Sequence, residues 1–272
     1  MPGSATGKSV VVGVDGSKPA MRAALWAVDE AVSRAAPLRL VYAVEQGSTQ
    51  STGQLTVRQA LATIEAAGKP VGIETDIVPG PAIGSLLRAS GSAAMVCVGA
   101  VGLRHFQPGR VGSTAAALAI SARCPVAIIR GRDERRRPAD GILVEVDDSP
   151  DNGVLLGAAI EEALLRGAAL RAVICRRCAD GRTADTDGAR RALADLDRRL
   201  ARWKRGYPQL RVEAAAVHGS MLEYLACQHR SVGLLIVGAH NQQRVAELVG
   251  RVGSSVLQDA DCSLLIVNRQ HL

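Results

Sequence analysis

The sequence predicts an α/β protein made of two tandem domains, each a parallel β-sheet covered by helices on both faces. Three observations lead to this prediction. Short apolar runs rich in Val and Ile alternate with longer stretches of helical periodicity. The same series of patterns occurs twice within 272 residues, a length that suits two domains. Hydrophobic residues make up 47 % of the chain but aromatic residues only 2 %, so the core must be aliphatic and rich in Ala.

The first half alternates five predicted strands with four predicted helices. Each strand is a short apolar run, and the five lie at residues 9–14, 38–44, 71–78, 94–98 and 124–130. The helices are predicted at residues 19–35, 54–67, 83–89 and 114–122, with a polar loop at residues 47–53. In the first helix, Ser17-Lys-Pro19 supplies a start signal, and Met21 and Leu25 begin an apolar face.

The second half repeats the first almost throughout. Residues 142–149 repeat residues 10–17, including the acidic residue after the strand, and residues 234–239 repeat residues 95–100. The intervening residues 133–141 are charged, poor in apolar side chains and contain Pro and Gly, which is typical of a linker. The predicted domains are therefore residues 1–132 and 142–272.

The formal net charge is +7, and Arg supplies most of the positive charge. Single-stranded nucleic-acid sites need aromatic faces for stacking, so one Phe, two Trp and three Tyr argue against a nucleic-acid partner. The chain has no apolar run of the ~20 residues that a transmembrane helix needs, and its N-terminus lacks an apolar signal core. We expect a cytoplasmic protein that does not bind membranes.

The cysteines give little support to a redox or metal site. Cys97, Cys124 and Cys262 lie in or beside apolar runs, where Cys behaves as a small hydrophobic residue. The pair Cys175-Arg-Arg-Cys178 has redox spacing, but it follows a strand and enters a polar loop instead of opening a helix. We predict no metal site.

A glycine-rich segment follows the fourth strand. Gly99 and Gly102 leave the strand, and nine residues later Gly112 and Ser113 open the next helix. Glycines let a backbone approach a ligand closely, a helix N-terminus attracts anions, and Ser113 is expected at the capping position. Asp15 ends the first strand, so both loops meet over one crevice if the first and fourth strands are neighbours. A lone Gly-x-x-Gly is equally typical of α/β proteins that bind no phosphate.

The second copy of this segment is altered. Gly250-Arg-Val-Gly253-Ser254 looks like Gly109-Arg-Val-Gly112-Ser113, but pairing Gly112 with Gly253 needs two insertions and three deletions. Pairing Gly112 with Gly250 needs a single deletion and places Arg251 at the position of Ser113. Asn241 then replaces Gly102. We favour this second register, in which the second domain has lost two special positions of the loop.

With Asp15 after the first strand and the Gly-x-x-Gly-x9-Gly-Ser spacing after the fourth, the chain resembles the universal stress protein family. It is similar to the ATP-binding branch of that family, in the tandem-domain form common in actinobacteria, over essentially its whole length. The resemblance implies a doubly wound domain with a five-stranded parallel sheet in the order 3-2-1-4-5, present twice. It also implies pairing through the last strands, residues 126–129 and 264–267, either between the two domains or in a homodimer.

The resemblance also implies roles for individual residues. Asp15 and the backbone of Ala43 would face adenine, Gly99, Gly102 and Gly112 would contact ribose and phosphates, and Ser113 would hold phosphate oxygens. The predicted site includes their neighbours Val14, Val98 and Thr114. A divalent ion such as Mg²⁺ would accompany the ATP.

The loop interior departs from the Gly-rich pattern of many members, because it contains bulky side chains and Pro108. Arg104 and Arg110 are either phosphate ligands or solvated loop residues. His105 has no nucleophile or carboxylate that the sequence places beside it, so we do not predict a catalytic base.

The second domain keeps Asp147, Gly238 and Gly250 at the positions of Asp15, Gly99 and Gly112, and Cys175 matches Ala43. Because Asn241 and Arg251 replace Gly102 and Ser113, whether this domain binds nucleotide is left open. We expect one nucleotide per chain, in the first domain.

Three functions remain in competition. The first is an ATP-binding stress-response protein, a sensor or switch that signals to a regulatory protein partner. The second is a slow ATPase or an adenylating enzyme. The Gly-x4-Gly-Lys-Ser/Thr loop of fast P-loop ATPases and a Ser-Gly-Gly-x-Asp-Ser loop after the first strand are both absent from the sequence. The third is an interaction module without nucleotide.

Overall fold

The first domain of the computed structural model is a parallel sheet with helices on both faces. The structure describes residues 8–47, 49–103, 109–131, 141–147, 152–176, 186–227 and 231–268. The strands of the first domain are β1 (Val10–Gly13), β2 (Leu38–Val44), β3 (Ile73–Pro79), β4 (Met95–Gly99) and β5 (Val126–Ile129). Its helices are α1 (Lys18–Ser33), α2 (Gln50–Glu65), α3 (Ala82–Ala89) and α4 (Ser113–Ser121).

The second domain repeats this architecture with one additional helix in the described residues. Its strands are β6 (Gly141–Val146), β7 (Ala169–Arg176), β8 (Val212–His218), β9 (Val232–Gly238) and β10 (Ser263–Val267). Its helices are α5 (Asn152–Arg166), α6 (Thr186–Gly206), α7 (Met221–Cys227), α8 (Gln242–Val249) and α9 (Arg251–Asp259). None of the helices in these ranges combines the length and the apolarity needed to cross a membrane.

The described strands form one sheet in the order β3-β2-β1-β4-β5-β10-β9-β6-β7-β8. Each domain therefore has the predicted order 3-2-1-4-5, and the pairs within each domain are parallel. The two halves join where β5 and β10 pair antiparallel, with Ala127 opposite Leu265. The sequence left open whether these last strands pair within one chain, and in the structure they do. Because each then has neighbours on both sides, neither is an exposed edge.

The core is aliphatic, as the composition predicted. Helix α1 buries a face of small residues against the sheet, namely Ala20, Ala23, Ala24, Ala27, Val28 and Ala31. Strands β4 and β5 are buried along most of their length. Small helix side chains let the α1 backbone approach the strands closely, which determines where the loops after β1 and β4 lie.

Helix α2 begins four residues earlier than the sequence predicted. Residues 50–53 were expected in a loop because Gln, Ser, Thr and Gly dominate them. In the structure, Thr49 caps the helix by accepting a hydrogen bond from the backbone N–H of Thr52 at 3.1 Å. Gly53 then packs on an aromatic ring, since a Cβ there would lie 2.8 Å from Cδ1 of Tyr42. This contact is long-range, and residue composition does not reveal it.

Candidate functional site

A cavity of about 560 Å³ lies at the carboxyl ends of β1 and β4, where the strand order reverses. Its volume is within the range of small-molecule sites. The loop after β1, the loop after β4 and the start of α4 form its walls. The residues predicted for the site all line this cavity: Val14, Asp15, Ala43, Val98, Gly99, Gly102, Gly112, Ser113 and Thr114.

Asp15 joins the two loops. Its Oδ1 accepts a hydrogen bond from the backbone N–H of Ser17 at 2.9 Å, which shapes the turn into α1. Its Oδ2 accepts from the backbone N–H of Leu103 at 3.0 Å, in the loop after β4. A carboxylate has about four lone-pair positions, so these bonds leave it able to accept a further hydrogen bond from a ligand. Asp15 is thus both a support of the loop and a cavity-facing acceptor.

The three glycines of the segment differ in how much space surrounds them. At Gly99 a Cβ would lie 2.6 Å from the carbonyl carbon of Pro19, so the packing of α1 requires glycine. At Gly102 a Cβ would lie 2.7 Å from Oδ2 of Asp15. At Gly112 the nearest described atom to such a Cβ would be 3.6 Å away, an ordinary contact. The protein itself therefore does not require glycine at residue 112, and its absent side chain leaves the cavity wall open to a ligand.

The start of α4 differs from the prediction in one detail. The N-cap residue is Gly112, with extended backbone angles, and Ser113 is the first helical residue instead of the cap. Gly112 has no side chain that can accept from the first-turn amides, whereas Ser17 caps α1 by accepting from the N–H of Ala20 at 3.2 Å. The first residues of α4 line the cavity, and the free amides of a helix N-terminus are suited to an anion.

Sequence reasoning missed several residues of the cavity wall. Tyr42, Glu45 and Thr52 line it, and Thr52 was missed because α2 begins earlier than predicted. Glu45 follows β2 at the same edge of the sheet, a position that could have marked it as a candidate. Its Oε1 accepts a hydrogen bond from the backbone N–H of Ala82 at 2.9 Å and so supports the start of α3.

Some predictions lie partly or wholly outside the described residues. These are the loop residues Arg104, His105 and Pro108, the greater part of the 133–141 linker, and Cys178 of the Cys-x-x-Cys pair. Arg110 is described and is exposed. Cys175 is half-buried near the end of β7.

The second domain has the register in which Gly250 matches Gly112. Gly250 is the N-cap of α9, and Arg251 is its first residue, at the position of Ser113. Between β9 and α9 the second domain has helix α8, which the sequence analysis did not predict. At Gly253 a Cβ would lie 2.3 Å from the carbonyl oxygen of Glu247, so this glycine serves the packing of α9 against α8. The Gly-Arg-Val-Gly-Ser sequence of the second domain is therefore a helix-junction motif.

The cavity of the second domain is almost closed, at about 20 Å³. Glu145 occupies the position of Gly13 in the repeat, and its Oε1 lies 2.8 Å from Nη2 of Arg244. Burial raises the pKa of Glu145, and the Arg244 guanidinium opposes that rise. A buried ion pair thus fills space that is open in the first domain.

Asp147, the counterpart of Asp15, is engaged by a side chain of its own domain. Nε2 of His240 lies 2.8 Å from Oδ2 of Asp147. The His240 ring also covers Gly238, since a Cβ at Gly238 would lie 2.3 Å from the imidazole Cε1. The two sites therefore differ in their contents as well as in their loops.

Comparison with known proteins agrees with this architecture. The model of the universal stress protein family matches residues 7–130 and again residues 139–268. This chain belongs to the universal stress protein family. Universal stress protein Rv2028c of Mycobacterium tuberculosis strain H37Rv is 51 % identical over 276 residues, covering 97 % of each chain. Universal stress protein Rv2624c of the same strain is 38 % identical over 278 residues, covering 98 % of each.

A solved structure shows the same tandem fold. The crystal structure of a universal stress protein from Archaeoglobus fulgidus DSM 4304 matches with a TM-score of 0.67 over 96 % of each chain, at 15 % sequence identity. The family, the tandem arrangement and the α/β fold of this chain are thus established together.

Proposed function

We propose that this universal stress protein binds ATP in its first domain and acts as a nucleotide-dependent sensor or switch in a stress response. The observation that carries the proposal is the wall of the 560 Å³ cavity, which includes both the uncapped start of α4 and Asp15. The positive charge of a helix N-terminus and a carboxylate acceptor in one cavity suit a ligand with an anionic tail and an amine-bearing base.

The residues present fit a nucleoside triphosphate. The amides at the start of α4, the hydroxyls of Ser113 and Thr114 and the open wall at Gly112 would hold phosphate oxygens. Asp15 would accept from the exocyclic amine of adenine, and the backbone near Ala43 would contact the ring. A Mg²⁺ ion would be bound mainly through phosphate oxygens and water, with Asp15 or Glu45 as the nearby carboxylates.

A regulatory role fits better than fast turnover. The chain lacks the P-loop lysine and its partner hydroxyl, which neutralise developing charge in fast ATPases. The predicted activity is therefore binding, with slow hydrolysis as the alternative.

The experiment is a calorimetric titration of the full chain with ATP, with GTP as the base control. Asp15→Ala and Gly102→Glu should abolish ATP binding, because they remove the acceptor and block the cavity. Asp147→Ala, at the matched position of the second domain, should leave ATP affinity unchanged. Equal ATP affinity in Asp15→Ala, Gly102→Glu and the wild type would overturn the proposal.

A further inference from the structure

The long loop of the first-domain site ends against a helix of the second domain. The backbone N–H of Gly109 donates a hydrogen bond to Oε1 of Gln258, in α9, at 2.8 Å. Ser255 lies one turn earlier in α9, and its Oγ would be 3.5 Å from a Cβ at Gly109. Gly109 itself has φ +77°, a left-handed conformation that favours glycine. The loop is therefore shaped to present its amide to α9.

This contact lies close to the anion-binding end of the cavity. Gly109 precedes Gly112, the N-cap of α4, by three residues. The backbone N–H of Gly112 in turn donates to the carbonyl oxygen of Ala100 at 2.8 Å, which returns the chain to the end of β4. Gln258 and Ala100 thus hold the two ends of the short segment that leads into the first turn of α4.

Helix α9 is itself anchored to the first domain beside this loop. Nη2 of Arg130, just after β5, donates to Oγ of Ser254 at 3.2 Å, and Ser254 is fully buried. The backbone N–H of Arg130 donates to Oγ of Ser263 at 3.1 Å. The first bond ties α9, and the second ties the start of β10, to the residue that follows β5, so Gln258 has a defined position relative to Gly109.

The reverse contact does not occur among the described residues. In the register that aligns Gly112 with Gly250, the counterparts of Gln258 and Ser255 are Ile120 and Ala117, neither of which has a side-chain acceptor. In the second domain, helix α8 lies between β9 and α9. The second domain therefore supports the loop of the first, and the first provides no equivalent support to the second.

We propose that Gln258 is a positioning residue through which the second domain holds the first-domain loop in its nucleotide-binding geometry. The inference rests on the nucleotide site proposed above and assigns a task to a domain whose own cavity is filled. When the loop is held in the geometry that binds nucleotide, a larger fraction of the molecules is able to bind. The apparent affinity for nucleotide is proportional to that fraction. The second domain would thus raise the affinity of a site to which it contributes no cavity-lining residue.

The test compares Gln258→Met with Gln243→Met in the full chain. Methionine keeps the length of the side chain and removes the accepting oxygen, and it is a good helix former. Gln243 is an exposed residue of α8 and serves as the matched control. Three quantities are measured: ATP affinity by calorimetry, the thermal midpoint, and the hydrogen-exchange rate of the Gly109 amide without nucleotide.

For Gln258→Met we expect ATP affinity to fall about three- to tenfold, as expected for one lost hydrogen bond, and the thermal midpoint to fall by no more than about 4 °C, so that the chain is folded in the titration. The Gly109 amide should exchange faster, and Gln258→Glu, which keeps an accepting oxygen, should restore slow exchange. Gln243→Met should match the wild type in all three measurements.

Two outcomes distinguish a failure of the positioning role of Gln258 from a failure of the proposed nucleotide site. If the wild type binds ATP and Gln258→Met binds it equally well, the positioning role is overturned while the nucleotide site stands. If the wild type binds no ATP, the proposed function is overturned, and the positioning role falls with it.

Discussion

Glu30 and Glu162 occupy equivalent positions in α1 and α5, and the guanidinium of Arg166 pairs with both carboxyl groups across the domain boundary. Both are buried, with 1 % exposure each. Arg166 bridges them, with Nη2 at 2.5 Å from Oε1 of Glu30 and Nε at 2.9 Å from Oε2 of Glu162. Arg34 adds a second cation to Glu30 at 3.0 Å. Among the described residues, Glu162 therefore has one cationic partner where Glu30 has two, and we expect Glu162 to be the carboxyl that holds a proton.

This arrangement predicts a pH-dependent stability. Burial and the neighbouring Glu30 raise the pKa of Glu162 to about 8, from 4.5. Between these values the folded chain binds a proton that the unfolded chain has lost, so the free energy of unfolding must fall as pH rises through this window. Glu162→Gln should remove that part of the slope and stabilise the chain above pH 8 by on the order of 3 kcal/mol, because Gln mimics the protonated acid.

The measurement is urea unfolding at several pH values between about 5 and 9, where the contribution changes. Glu161→Gln is the matched control, since the Glu161 side chain is 70 % exposed and its carboxylate lies 4.0 Å from the Arg34 guanidinium, at the limit of an ion pair. An unchanged slope in Glu162→Gln would show that this carboxyl does not hold the proton.

The glycines of the loop should separate folding from binding. Gly99→Ala places a Cβ 2.6 Å from the Pro19 backbone, so we expect a loss of about 1–3 kcal/mol of stability whether or not ligand is present. The Cβ of Gly112→Ala meets no described atom closer than 3.6 Å, so the variant should lose less than about 1 kcal/mol of stability, the cost of replacing Gly by Ala at an N-cap. It should nevertheless weaken ATP binding, because its methyl group enters the cavity wall. Urea unfolding and ATP titration of both variants provide the check, and the prediction fails if both lose stability equally.

The ion pair that fills the second-domain cavity should be sensitive to removal of one partner. Arg244→Met leaves the Glu145 carboxylate without the cation that pairs with its Oε1. The other oxygen, Oε2, already lacks a hydrogen-bond partner among the described residues. We expect a loss of about 3–5 kcal/mol at pH 8 and a smaller loss at pH 5. The pH difference has this sign because the raised pKa of Glu145 allows it to be neutral at low pH.

The double variant Glu145→Met/Arg244→Met is the control for Arg244→Met. Replacing a whole buried ion pair by apolar groups is often close to neutral, so the double variant should recover most of the lost stability. If the double variant is as unstable as Arg244→Met, packing rather than an unpaired carboxylate causes the loss.

The filled second cavity also predicts a stoichiometry of one nucleotide per chain. Among the described residues, the cavity beside Asp15 measures about 560 Å³ and the space beside its counterpart Asp147 about 20 Å³, so a nucleotide fits at the first position and not at the second. Native mass spectrometry with excess ATP should show one bound nucleotide in the wild type and in Asp147→Ala. A second bound nucleotide that persists in Asp15→Ala would contradict the prediction.

Much of the site was predictable because its residues follow strands. Asp15 and Gly99 end apolar runs that the sequence marks clearly, and parallel strands bring their carboxyl ends to one edge of the sheet. The prediction was wrong where a long-range contact overrides composition. Residues 50–53 are helical because Thr49 caps α2 and Gly53 packs on Tyr42, and a polar run of this kind otherwise favours a loop.

The sequence by itself determined the duplication and nine of the residues that line the first cavity, because repeats and hydrophobic periodicity are local properties of the chain, and its motifs pointed to the family and through it to the strand order. It also established the register that pairs Gly112 with Gly250. Only the tertiary structure decided how the domains use each other. The bond from Gly109 to Gln258 joins residues far apart in the chain, as does the contact of Glu30 with Glu162. Such contacts depend on how the two sheets meet at β5 and β10, and no local pattern encodes that geometry.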